Sequence, residues 1–175
     1  MEKLFSDSET LSKHRPTKIT SEQEQEYYKK IAEDIINEKW SDSDLEDIIS
    51  DISEISIHDS GYEIAKDLES YNKNASYNID TDFITYLDDI GYDKHRILVK
   101  NVEAWVMAHN PQPKFNIGQK LIIKEKISFK LEKGSIVFVN GYVEKRACYY
   151  IHANNKKTLG IIIPYETVES DCEPI

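Results

Sequence analysis

The chain is poor in the residues that lock small folds or cradle phosphates. Two cysteines, Cys148 and Cys172, in 175 residues cannot form a disulfide framework. That usage fits a reducing cytoplasm, and a cytoplasmic location is the expectation. The six glycines are all isolated, so the glycine runs of phosphate-binding loops are missing. The first twenty residues, MEKLFSDSETLSKHRPTKIT, hold no apolar stretch of about 7–15 residues, so no secretory signal is expected. No run approaches the ~18 apolar residues of a spanning helix, so no membrane partner is expected. Arginine is scarce, three residues against 24 isoleucines, a bias that a low-GC genome favours.

What is present is charge, unevenly placed. The net charge is −10. Residues 1–110 carry 25 acids and 12 bases, whereas residues 111–165 carry 3 acids and 10 bases. The last ten residues, ETVESDCEPI, add four acids and no base. An acidic chain of this kind disfavours plain attraction to nucleic acid or anionic lipid and suits a basic partner. The split suggests two functional surfaces.

Periodicity divides the chain. Residues 1–20 are polar and aperiodic and read as an arm. Ser21 with Glu24 has capping-box spacing, and Tyr27, Ile31 and Ile35 recur at helical steps, so 21–40 reads as a helix. Residues 41–59, SDSDLEDIISDISEISIHD, place Leu45, Ile48, Ile49, Ile52 and Ile55 on one stripe, with Ser41 as N-cap. Residues 59–71 give a shorter helix. Asp80 should cap the next one, which Gly91 should end, and residues 93–110 form another before Pro111 and Pro113 stop it. Beyond the prolines the pattern reads as five short strands with no helix among them. Lys133-Gly134, Asn140-Gly141 and Asn154-Asn155 are the expected turns. The domains expected are an acidic helical part at 21–110, a small β-barrel at 115–169 and an acidic tail at 170–175.

The stretches FNIGQKLII, GSIVFVNGY, YYIHA and IIIPYETVE follow the order of elements in Src-homology-3-like small barrels, including Tudor and KOW-type modules. Residues 115–169 resemble that family, whose members bind proteins, peptides or nucleic acids. The resemblance implies an α+β fold, an acidic helical bundle followed by a small five-stranded Src-homology-3-like β-barrel. The whole chain also resembles phage-type proteins that join a helical region to such a barrel.

No motif names a reaction. Asp42, Asp44 and Glu46 have the start of calcium-loop spacing, but the sixth and twelfth positions are Asp47 and Ser53, which fail it. Cys148 and His152 share one strand face without a second ligand pair for zinc. His58-Asp59-Ser60 lists triad residue types in a row, but triads assemble from distant parts of a chain. No catalytic residue, metal or cofactor is assigned, and the chain is read as no enzyme.

Two surfaces remain. Asp44, Asp47, Asp51 and Glu54 form an acidic stripe beside the apolar one and are the expected partner-binding residues. A helix rises ~5.4 Å per turn, against ~3.4 Å of axial rise between phosphates of one DNA strand. The stripe could therefore occupy a basic, nucleic-acid-binding cleft as a decoy. The leading expectation is a non-catalytic acidic inhibitor or adaptor, nucleic-acid-mimicking and anti-defence-like (anti-CRISPR or anti-restriction), acting on a nucleic-acid-handling enzyme. The alternative is a regulator that binds nucleic acid through the barrel, using Lys120, Lys124, Lys126, Lys145 and Arg146 for phosphates and Tyr142 for stacking. The plainer reading of both is a solvated acidic helix face and lysine-guarded strands.

Overall fold

The computed structural model of the chain describes residues 13–55, 57, 60–71, 74–128, 131–153 and 160–175. Its contacts divide into two compact units, Met1–Asn101 and Val102–Ile175. Residues 1–12, His58, Asp59, Lys130 and the Asn154-Asn155 turn with Lys156 and Lys157 lie outside the described residues.

The first unit is helical. Helix α1 (Ser21–Asn37) starts one residue earlier in its capping than the sequence suggests. Thr20, not Ser21, is the N-cap: its Oγ1 accepts from Gln23 N, and Gln23 Oε1 accepts from Thr20 N. The helix ends with Lys39 in the left-handed region, φ 62°. Trp40 N donates to Ile35 O and Lys39 N to Ile36 O, the paired closure of a Schellman motif. Trp40 is thereby turned back onto the core, where it stacks on Phe83 with centroids 5.0 Å apart.

Helix α2 (Leu45–Glu54) buries Ile48 and Ile52, and helix α3 (Gly61–Tyr71) buries Ile64, Ala65 and Leu68. Helix α4 (Thr81–His109) begins as expected, with Asp80 Oδ1 accepting from Phe83 N at 2.8 Å. It does not end at Gly91. It continues to His109, and the left-handed residue is Asn110, φ 44°, just before Pro111. One glycine inside a helix costs only about 1 kcal/mol, less than the burial of the residues beyond it returns. Gly91 instead permits a close approach: a Cβ there would stand 3.1 Å from the Ile57 carbonyl oxygen. Ile31, Ile35, Ile48, Ile64, Phe83 and Leu87 make the centre of this unit's core.

The second unit takes the end of α4 from Val102 and a five-stranded antiparallel sheet. Its elements are β1 (Lys120–Ile123), β2 (Ile136–Val143), β3 (Cys148–Ala153), β4 (Ile161–Pro164), α5 (Tyr165–Asp171) and β5 (Cys172–Pro174). The strand order is β4-β3-β2-β1-β5.

This order corrects the barrel. β4 and β5 lie at opposite ends, so the sheet is open, and no Src-homology-3-like barrel forms. Residues 165–169, expected as a turn and a last short strand, belong instead to α5, which places Tyr165 and Val168 in the core. Among the described residues of the KEKISFKLEK stretch, Ser128 and Leu131 form an isolated bridge. Asn140-Gly141 is not a turn. It is a bulge within β2, where the register on β3 shifts between Val139 and Gly141. The extra residue changes parity, so Val137, Val139 and then Tyr142 all face one side.

That side is the core face. Leu121, Ile123, Val137, Val139, Tyr149 and Ile151 are buried on it, with Trp105 and Val168 in the same cluster. The opposite, outer face carries Ile122, Ile136, Phe138, Tyr150 and Ile162 by alternation. The expected acidic tail is part of the sheet: Cys172 is buried opposite Ile123, and Glu173 pairs with Ile122.

Candidate functional site

The acidic stripe is not one surface. At about 100° per residue, Asp51 falls within about 60° of both Ile48 and Ile55, on the inner flank of α2. It is only 3% exposed. Its Oδ1 accepts from Asn74 Nδ2 at 3.0 Å, and its Oδ2 accepts from Ala75 N at 3.1 Å and Tyr77 OH at 3.3 Å. Asp51 is therefore a structural anchor for the chain entering α4 and does not face outward as the stripe requires. Tyr77 feels it: burial, with the Asp51 carboxylate second, pushes the phenol pKa well up.

The other three members are placed differently. Asp44 is the exposed N-cap of α2 without a side-chain capping bond. Asp47 is half-buried and Glu54 is exposed. Two acids outside the stripe, Asp42 and Glu46, are also exposed. Among the described residues none of Asp42, Asp44, Glu46 and Glu54 forms an ion pair. The acids of α1 contrast with them. Glu33 pairs with Lys29, and Glu24 with Lys94, whose hydrogen bond and charge hold the Glu24 carboxyl below its ordinary range.

The turn before α2 is fixed from below. Ser41 Oγ donates to Ser76 O at 2.6 Å, Asn78 N donates to Trp40 O at 2.6 Å, and Ser76 N donates to Ser43 Oγ. A shallow polar depression of about 280 Å³ lies there, lined by Lys39, Trp40, Ser41, Asp42 and Tyr77. Ser41, expected as an N-cap, is buried and joins this stitching instead.

Among the described residues, several bases of the second unit are paired with acids. Counted to the end of the chain, residues 102–175 hold ten bases and eight acids, a balance of +2, because α5 and β5 belong to the unit. Lys126 pairs with Glu132, Lys133 with Glu125, and Lys114 with Glu169. Lys120 opens β1 on the outer face, Lys124 follows that strand, and Lys145 and Arg146 sit in a 3-10 turn after β2. Tyr142 is no stacking platform. Its hydroxyl donates to Phe115 O at 2.9 Å, and its ring packs against Tyr149 and Tyr165. Tyr149, fully buried, donates to Glu169 Oε1 and accepts from Phe115 N, and burial pushes its pKa up.

Cys148 and Cys172 are both buried, and neither is in a disulfide. Burial, with the Asp171 charge, pushes the Cys172 thiol up to about 11. Among the described residues no group of three or more His, Cys, Asp or Glu side chains is poised to hold a metal ion. No helix among them is long and apolar enough to cross a membrane.

No protein-family model, curated protein or solved structure is similar to the chain. With the open sheet, this overturns the resemblance to Src-homology-3-like barrels. It also leaves the phage-type, anti-defence expectation, drawn from the acidic stripe together with that resemblance, without a similar protein behind it.

Proposed function

We propose that the chain is a non-catalytic, cytoplasmic interaction protein whose helical unit docks on a basic protein surface. Asp42, Asp44, Glu46 and Glu54 carry that reading. They stand outward on a helix and turn whose other side is anchored by Ile48, Ile52 and the Ser41–Ser76 bond. Pre-fixed charge loses little side-chain and backbone freedom on docking. Basic surfaces able to receive it are characteristic of nucleic-acid-handling enzymes, the partner class favoured here. Two cysteines outside any disulfide fit a reducing compartment.

The test is capture from nuclease-treated lysate, quantified by mass spectrometry. Wild type is compared with a variant neutralised at Asp42, Asp44, Glu46 and Glu54 by Asn or Gln. A control variant is neutralised at Glu2, Asp7 and Glu9. Asp51 is left intact, because its loss perturbs folding rather than docking. Basic proteins retained by wild type and control but lost from the four-site variant support the reading. Equal capture by all three contradicts it.

A further inference from the structure

We draw no further inference here: the strongest candidate, the outer face of the sheet with Ile122, Ile136, Phe138, Tyr150 and Ile162 on one side, is an apolar face, and nothing in the structure shows what covers it.

Discussion

Replacing Asp51 with alanine deletes a buried acceptor that three donors share. Ala75 N is the critical one, because Ala75 is 2% exposed and its amide has no route to water once the carboxylate is gone. A buried unsatisfied donor costs about 1–3 kcal/mol. Tyr77 OH and Asn74 Nδ2 are only part-buried and can turn toward solvent, so each adds less. The small void left by the carboxylate adds a further fraction. The expected loss for Asp51→Ala is therefore about 2–4 kcal/mol. Asp51→Asn keeps one acceptor for Ala75 N but turns an NH2 toward the other donors, so it should cost about 1–2 kcal/mol. Asp44→Asn and Glu54→Gln, at exposed positions, should stay within about 0.5 kcal/mol of wild type. Urea unfolding followed by fluorescence reports the first unit through Trp40 when Trp105→Phe removes the second signal. An Asp51→Ala midpoint equal to those of Asp44→Asn and Glu54→Gln would refute the anchor role and restore Asp51 to the outer stripe.

Gly61→Ala should destabilise by about 2–3 kcal/mol although alanine is the better helix former, because its Cβ would run into the Ile84 carbonyl oxygen and the Asp88 amide nitrogen. Thermal unfolding gives the sign directly, and a stabilised variant would show that α3 does not cross α4 there. Lys39→Gly should act the opposite way, raising stability by about 0.5–1 kcal/mol, since φ 62° strains lysine but not glycine. Both cysteines should resist a thiol reagent in native protein at pH 8 and react together once denaturant is added. The Cys172 thiol is raised from its ordinary 9.0 to about 11, so its contribution to stability is whole below about pH 9 and fades as pH rises through about 11. A Cys172→Ala variant should therefore lose less stability than wild type between those pH values, and equal losses would contradict the assignment.

Much of the first unit was legible because its periods are local. The isoleucine steps of α1 and α2, the Asp80 cap and the change of period after Pro113 all follow from neighbours within a few residues. Asp51 was legible too: a helical wheel places it between Ile48 and Ile55, and reading the acids as a stripe of their own hid that position. Gly91 and Asn140-Gly141 misled for a different reason. Each has strong local turn chemistry that tertiary contacts override, at Gly91 by close packing on Ile57 and at Asn140 by a bulge that aims Tyr142 at the core. The acidic C-terminal residues read as a tail because nothing local reveals that Cys172 lies opposite Ile123, some fifty residues away. The open sheet follows from that same non-local pairing, which puts β5 beside β1 rather than beside β4.

The proposed steering of this protein to a basic partner by the outward acids of α2 and its leading turn is read in the association rate with a captured partner, measured by stopped flow across ionic strength. Wild type should associate about tenfold faster than the variant neutralised at Asp42, Asp44, Glu46 and Glu54 at low salt. That advantage should shrink as the screening length falls toward ~8 Å near physiological ionic strength, with dissociation little changed. Identical rates and identical salt dependence for the two proteins would contradict the claim and leave these carboxylates as a solvated helix face.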